Sequence, residues 1–239
     1  MPRRSRHFIP GIPLHIIQRG NNRQACFFRE RDYIIYLDKL REYSLAFGTA
    51  VHSYVLMTNH VHLLLTPTEK DSASRLLQAL GRYYVRYINA TYGRMGTLWE
   101  GRFKASLVHS GQYLLTVYRY IEMNPVRAGM VDHPAGYPWS SYQSNALGKT
   151  IKLVTPHAVY NALGKDRISQ QAAYQCLFNS QLPEWTLEEI RQAANKGWVL
   201  GDSKFKKQVE QQLGYELPPF KRGGDRKSAE ARRNRIKLL

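Results

Sequence analysis

The residues best suited to chemistry are two histidines and a tyrosine–asparagine pair. His60 and His62 are separated by one apolar residue at the head of an apolar run, so in a β-strand both imidazoles point to the same side of the sheet. Tyr120 and Asn124 are four positions apart and share a helical face as far as the helix persists. Imidazole is the commonest metal ligand in proteins. The four side chains together are the parts for metal-assisted attack on a phosphodiester.

Such an attack has definite requirements. A phosphodiester is anionic and repels nucleophiles, so a divalent ion on a nonbridging oxygen lowers that charge and orients the phosphorus. A phenol has a pKa of about 10, so it must lose its proton to a base, to water or in the field of the ion. Because one phosphodiester replaces another, the reaction is reversible without a nucleotide cofactor. Two imidazoles would suit Zn²⁺, Mn²⁺ or Ni²⁺ as well as Mg²⁺.

Hydrophobic periodicity predicts the elements that position these residues. Apolar runs of strand length occupy residues 14–18, 50–56, 60–66 and 102–108. Helical spacing of apolar side chains occupies residues 33–47, 72–92 and 112–123. The resulting order predicts an α+β fold with a ferredoxin-like antiparallel sheet, and it places the two histidines just past a hairpin turn. A parallel dinucleotide-binding sheet is disfavoured, because no glycine-rich phosphate loop follows the first strand.

The remainder of the chain predicts a small helical region and a basic tail. Helical candidates are residues 166–179, 186–196 and 202–213, and a capping box of Thr186 and Glu189 starts the second of them. Residues 221–239 are rich in lysine and arginine and poor in apolar side chains, which is typical of disorder. The predicted domains are therefore 1–145, 146–220 and 221–239.

Composition indicates an anionic partner. The 239 residues carry a formal net charge of +17, which favours nucleic acid first and an anionic membrane second. No apolar run approaches the roughly 18–20 residues that span a bilayer, so we expect no membrane segment. Cys26 and Cys176 are too few for a disulfide framework or a cysteine metal cluster. The expected location is the cytoplasm.

Three motifs, taken in order, resemble the single-tyrosine HUH transposases. They are NHVHLLL at residues 59–65, GTLWEGRFK at 96–104 and YIEMNPVRAG at 120–129. The REP-associated tyrosine transposases are the most similar group, over about residues 15–142. The resemblance implies an HUH nuclease domain that acts on single-stranded DNA with Mg²⁺ or Mn²⁺. It also implies palindromic hairpin substrates with a short flanking tetranucleotide, and a monomer or a homodimer.

The same resemblance assigns roles to individual residues. It implies that His60 and His62 are metal ligands and that Tyr120 becomes linked to a DNA 5′ phosphate. Asn124 occupies the place where many relatives carry glutamine as the third metal ligand. The predicted function is therefore a metal-dependent single-stranded DNA endonuclease and strand transferase, a transposase that acts at hairpin-forming repeats. The alternatives are a non-catalytic binder of structured nucleic acid and a phosphodiesterase that activates water. Neither alternative would form a covalent adduct.

The residues predicted to contact DNA are basic, apart from one tryptophan. They are Arg19, Arg23, Arg75, Arg82, Arg86, Trp99, Arg102, Lys104 and Arg127. The basic side of the 72–92 helix is equally well explained as a solvated face, and Trp99 as a core residue. Glu122 lies next to Tyr120 on the helix and is a candidate for assisting proton transfer.

Overall fold

Within residues 8–215 and residue 217, which the computed structural model describes, four strands form one antiparallel sheet. They are β1 (Leu14–Arg19), β2 (Thr49–Met57), β3 (His60–Pro67) and β4 (Lys104–Leu107). Their spatial order is β2-β3-β1-β4, and every neighbouring pair is antiparallel. The order confirms the predicted ferredoxin-like α+β fold. The predicted basic tail at 221–239 lies outside the described residues.

Two helices cover one face of the sheet. They are α1 (Glu30–Ala46) and α2 (Ser72–Tyr92), and they pack against each other and against β2. From β3, the fully buried Val61, Leu63 and Leu65 belong to this core. Because side chains alternate along a strand, His60 and His62 are left for the opposite face. The prediction that the two imidazoles share one side of the sheet is confirmed.

The opposite face is covered by α3 (Ser110–Glu122), which contacts β2 and β3. A separate short helix, α4 (Asn124–Arg127), follows it after Met123. Pro125 lies in the first turn of α4, where a proline is tolerated because its missing N–H would have no intrahelical partner. Asn124 is therefore the first residue of α4 and lies just beyond the end of α3.

Five further helices follow in the described part of the chain. They are α5 (Tyr142–Asn145), α6 (Ala158–Asn161), α7 (Arg167–Cys176), α8 (Glu184–Lys196) and α9 (Ser203–Leu213). Tyr118 of α3 packs against Tyr160 and Tyr174, and all three are buried in one core. Helix α8 contacts β4 and β1. The boundary predicted at residue 145 therefore does not separate two cores. No described helix is long and apolar enough to cross a membrane.

The predicted start of α8 is wrong. The helix begins at Glu184, directly after Pro183, and Thr186 is buried inside it instead of capping it. Pro183 is extended, with φ −56° and ψ 143°, so the helix starts at the residue that follows it. Its end is as predicted, because Gly197 adopts the left-handed conformation with φ +67°.

The carboxylate of Glu122 joins α3 to the region beyond residue 140. It accepts hydrogen bonds from Ser141 Oγ at 2.5 Å, Asn145 Nδ2 at 2.8 Å and the Tyr174 hydroxyl at 2.7 Å. The side chain is fully buried among these donors. Because all of its close partners are structural, we no longer assign Glu122 to proton transfer. It stabilises the contact between α3 and the C-terminal helices.

The buried Glu122 predicts a specific dependence of stability on pH. Burial raises the pKa of Glu122 from 4.5 to about 7, so between these values the native state keeps a proton that the unfolded chain has lost. This group therefore makes the free energy of unfolding fall as the pH rises through that window. The Glu122→Gln variant has no carboxyl group at this position, so it does not titrate there. We expect the free energy of unfolding of the variant, relative to that of the wild type, to rise by about 3 kcal/mol between about pH 4.5 and 7.

Urea unfolding of both proteins at several pH values measures this difference. Comparing the two proteins at each pH cancels the titration of every other group. A constant difference across the window would contradict the assignment of a raised pKa to Glu122.

Candidate active site

A cleft of about 220 Å³ opens on the face of the sheet that α3 covers. Strands β1 and β3, the segment leading into β4, and helices α3, α4 and α8 all contribute side chains to it. The cleft brings together the four residues expected to do chemistry, which are His60, His62, Tyr120 and Asn124. The ring centroids of His62 and Tyr120 are 5.7 Å apart, and those of His60 and His62 are 5.1 Å apart. The spatial convergence on which the predicted chemistry depends is therefore present.

The orientation of the His60 ring follows from Asn59. Asn59 donates from Nδ2 to the carbonyl of Arg23 at 3.1 Å, so its Oδ1 is the atom that lies 2.6 Å from His60 Nδ1. A carbonyl oxygen only accepts, which requires His60 to carry its proton on Nδ1. The lone pair on Nε2 of His60 is then available to a metal ion.

His62 is oriented by a second histidine. Nδ1 of His62 lies 2.9 Å from Nε2 of His15, a fully buried residue of β1. When His62 donates this hydrogen bond, its own Nε2 keeps a lone pair, as a metal ligand requires. The rings of His15 and His62 are stacked with centroids 5.2 Å apart. His15 thus constrains the ring plane of His62 without lining the cleft itself.

The amide of Asn124 is also held in one orientation. Its Nδ2 donates to the carbonyls of Tyr120 at 3.0 Å and Ile121 at 3.2 Å. These backbone oxygens accept only, so the amide nitrogen must face them and Oδ1 faces away. Asn124 lines the cleft, and its oxygen can therefore act as a third ligand.

Burial and positive charge keep the histidines neutral. Burial, and to a smaller extent the positive charge of Arg19, lower the pKa of His60 to about 4. The pKa of His62 lies well below its ordinary value because of burial, its histidine neighbours, Arg127 and Arg19. Neutral imidazoles are the form that binds a metal. Burial raises the pKa of the Tyr120 phenol, while Arg127 and Arg191 oppose that rise.

The residues present fit a divalent ion that is shared with an anionic substrate. Two imidazole nitrogens and one amide oxygen converge, and each has its lone pair directed away from its structural partners. Among the described residues, no three His, Cys, Asp or Glu side chains come together as a metal site. A site built from neutral ligands depends on substrate oxygens to complete the coordination of a hard cation such as Mg²⁺.

The predicted DNA contacts fall into two groups. The first surrounds the cleft and consists of Arg19, Arg102, Lys104 and Arg127. Arg127 lies over the Tyr120 ring, with its guanidinium carbon 4.6 Å from the centroid, and donates to the Tyr120 carbonyl. Arg23 is exposed beside this group, where its carbonyl holds Asn59. These side chains create a positive potential where an anionic backbone would lie.

The second group lies on α2, on the opposite side of the sheet. Arg75, Arg82 and Arg86 are exposed there, and Arg75 stacks over the Phe47 ring at 4.8 Å. Trp99 lies beneath this helix and is only 5% exposed, in contact with the rings of Tyr36 and Tyr84. Trp99 is therefore mostly a core residue. It also lines a groove with Arg82 and Arg86, and its stacking on DNA stays a prediction.

Sequence reasoning missed three residues that shape the cleft. His15 and Asn59 orient the two candidate ligands, and Arg191 of α8 reaches the cleft from the C-terminal region. Asn59 directly precedes His60, and its position in a tight turn was a usable signal. His15 alternates with the buried Leu14 and Ile16, which places it on the same face as the imidazole pair. No local pattern marks Arg191, because its contact with the cleft depends on tertiary packing.

Comparison with known proteins agrees with the fold. Residues 9–124 match the family model described as "Transposase IS200 like". No curated protein sequence matches the chain. A solved structure of a REP-associated tyrosine transposase bound to a REP hairpin is similar, with a TM-score of 0.53 and 18% identity over 66% of this chain and 96% of that one. At this identity the likeness concerns the fold.

A second solved structure is more distant. It is a protein of Deinococcus radiodurans R1, provisionally described as a transposase, with a TM-score of 0.36 and 21% identity over 51% of this chain and 96% of that one. The family model spans both candidate histidines, Tyr120 and Asn124, and it ends before Arg127 and Arg191. The chain therefore carries, in residues 9–124, a domain of the IS200-like transposase family.

Proposed function

We propose that this protein is a metal-dependent single-stranded DNA endonuclease and strand transferase that acts at hairpin-forming repeats through a tyrosine nucleophile. The observation that carries the proposal is the position of the Tyr120 ring, 5.7 Å from the His62 ring in a cleft rimmed by basic side chains. The match of residues 9–124 to a transposase family supports it. A cytoplasmic location, and a monomer or homodimer, are part of the same proposal.

The proposed reaction exchanges one phosphodiester for another. The Tyr120 oxygen forms a bond to phosphorus, the bond from phosphorus to the 3′ oxygen breaks, and a 5′-phosphotyrosine and a free 3′ hydroxyl result. The phenol releases its proton to solvent, and the leaving oxygen takes one up. His60, His62 and Asn124 would hold Mg²⁺ or Mn²⁺, which neutralises charge on the phosphate when bound.

The protein's own residues have separate tasks in this reaction. Arg127 holds the Tyr120 ring from above, through its stacking contact and its hydrogen bond to the backbone. The basic rim of the cleft binds the single strand that enters it, and the arginines on the outer side of α2 extend the contact to a folded hairpin.

A covalent trapping experiment tests this function. The protein is incubated with Mn²⁺ and a pool of hairpin oligonucleotides that carry randomised single-stranded flanks, and denaturing electrophoresis separates any adduct. Sequencing of the trapped DNA defines the flank, and mass spectrometry of the digested adduct should place the nucleotide on Tyr120. A cleaved but unattached product would indicate hydrolysis by water instead.

A non-catalytic nucleic-acid binder is the second candidate. The observation that favours it is the burial of Tyr120, which is 5% exposed beneath Arg127 and Arg191. It predicts salt-dependent binding, with log K falling linearly with log salt, and no cleavage with any divalent ion. The trapping experiment therefore separates the two candidates.

The contact between His15 and His62 gives a quantitative prediction. Replacing His15 with alanine leaves the His62 ring free to rotate and to change tautomer, so we expect Mn²⁺ affinity in the presence of hairpin DNA to fall about 10–100-fold. Electron paramagnetic resonance of free Mn²⁺ measures the change. His52→Ala is the matched control, because His52 is also a buried strand imidazole but bonds Thr66 and Thr155. An equal loss in both variants would contradict the specific role of His15.

A further inference from the structure

Helix α8 brings a guanidinium to the nucleophile from outside the family domain. The side chain of Arg191 lines the cleft together with Tyr120 and Asn195, and its positive charge opposes the rise that burial causes in the pKa of the Tyr120 phenol. We propose that Arg191 binds the scissile phosphodiester of single-stranded DNA beside Tyr120, and that the phosphate replaces Glu184 as its partner. The proposal rests on the proposed function, because it takes Tyr120 to be the attacking group.

The position of Arg191 is fixed by the packing of its helix. Leu187, Ile190 and Ala194 of α8 are buried, and the helix contacts β4 and β1. On its cleft side, Asn195 Oδ1 accepts a hydrogen bond from Lys104 Nζ at 2.9 Å. The packing of α8 on β4 and β1 therefore fixes the position of the backbone that carries Arg191. A guanidinium held in this way needs little reorganisation to bind an anion.

The resting partner of Arg191 is easily exchanged. Its Nη1 lies 2.7 Å from Glu184 Oε1 and 3.9 Å from Glu188 Oε2, and the two glutamate side chains are 75% and 54% exposed. Exposed ion pairs of this kind contribute little to stability, because water screens them. A phosphate presents paired oxygens that match the guanidinium fork, so it competes well with a mobile carboxylate.

The surroundings of Arg191 select an anion as the ligand. Arg19, Arg102 and Lys104 line the same cleft, against the single carboxylate of Glu100 among its lining residues. The guanidinium offers five donors, and its hydrogen bond to Glu184 uses only one nitrogen, Nη1. An anion bound to the remaining donors lies next to the phenol oxygen, which is where in-line attack requires the phosphorus.

Binding measured without metal tests the proposal independently of the reaction. Fluorescence anisotropy in EDTA follows a labelled hairpin with a single-stranded flank, using the full chain and four variants. Arg191→Gln should weaken binding about 5–10-fold at low salt and reduce the slope of log K against log salt by about 0.7. Glu184→Gln should tighten binding about 2–5-fold, because it removes the competing carboxylate. Arg191→Lys, which keeps the charge but lacks the fork, should restore only part of the affinity.

Lys196→Ala is the matched control. It removes one positive charge from the same helix, but Lys196 lies over the Trp198 ring, 4.1 Å from the centroid, and is not among the residues that line the cleft. Its affinity should change less than about twofold. Equal losses in Arg191→Gln and Lys196→Ala, or unchanged binding in Arg191→Gln, would overturn the proposal. Thermal melting of each variant separates a loss of folding from a loss of binding.

The trapping reaction distinguishes this proposal from the proposed function. If the wild-type protein forms no adduct but the Arg191 and Glu184 variants shift binding in opposite directions, the phosphate site stands and the transesterification does not. If the wild type forms the adduct and Arg191→Gln forms it at an unchanged rate with unchanged affinity, Arg191 has no role at the phosphate.

Discussion

The Tyr120→Phe variant should form no covalent adduct with hairpin DNA, and its single-turnover cleavage should fall at least about 10³-fold. The substitution removes only the oxygen that attacks phosphorus. The ring remains in place, so Arg127 keeps its stacking contact and the histidine rings keep their neighbour. DNA affinity in EDTA should therefore stay within about twofold of the wild type. Denaturing electrophoresis of a labelled oligonucleotide measures the adduct, and anisotropy measures the affinity.

Tyr118→Phe is the control for this experiment. Tyr118 lies on the same helix, two residues earlier, but it is buried among Tyr160 and Tyr174 instead of lining the cleft. We expect this variant to form the adduct at nearly the wild-type rate. If Tyr120→Phe forms the adduct in undiminished yield, Tyr120 is not the nucleophile and another side chain attacks the phosphorus.

The second large effect is expected at His62. It is one of the two candidate imidazole ligands, and its ring lies between those of His60 and His15, with centroid distances of 5.1 and 5.2 Å. Replacing it with alanine should raise the activation barrier of metal-dependent cleavage by several kcal/mol. The cleavage rate should then fall on the order of 10³-fold or more. Binding of the hairpin in EDTA should persist, because the positive rim of the cleft is intact.

A titration with Mn²⁺ extends the test at His62. Since no carboxylate joins the candidate ligands, Mn²⁺ should bind the wild type weakly alone and more tightly once DNA supplies phosphate oxygens. His62→Ala should lose this DNA-dependent increase in affinity. His109→Ala, which changes a ring stacked on Phe205, should keep it. If His62→Ala cleaves DNA at the same rate as the wild type, at the same Mn²⁺ concentration, the histidines are not metal ligands.

The parts of the site that could be predicted are those encoded by local spacing. The alternation of β3 sends His60 and His62 to one face and Val61 to the core, because a strand has a period of two. Tyr120 and Asn124 line the same cleft although α3 ends between them, since the Asn124 side chain donates a hydrogen bond to the Tyr120 carbonyl. Short-range geometry of this kind depends on little beyond the sequence pattern.

The parts that could not be predicted depend on contacts between distant segments. Arg191 reaches Tyr120 because α8 packs on β4 and β1, and no periodicity within α8 carries that information. Trp99 is buried under α2 although its loop is rich in glycine and polar residues. The false capping box at Thr186 arose because its residue types fit, while Pro183 had already set the start of the helix.

The core that α3 shares with the C-terminal helices has a consequence for truncated forms of the protein. Tyr118 is fully buried, and its aromatic neighbours Tyr160 and Tyr174 come from beyond residue 145. A frameshift in the codon after residue 145 would remove these neighbours and leave one side of α3 exposed, and a product with that much exposed aromatic surface would be degraded. Mutational loss of the 3′ part of the gene should therefore abolish the protein instead of producing a shortened, folded form.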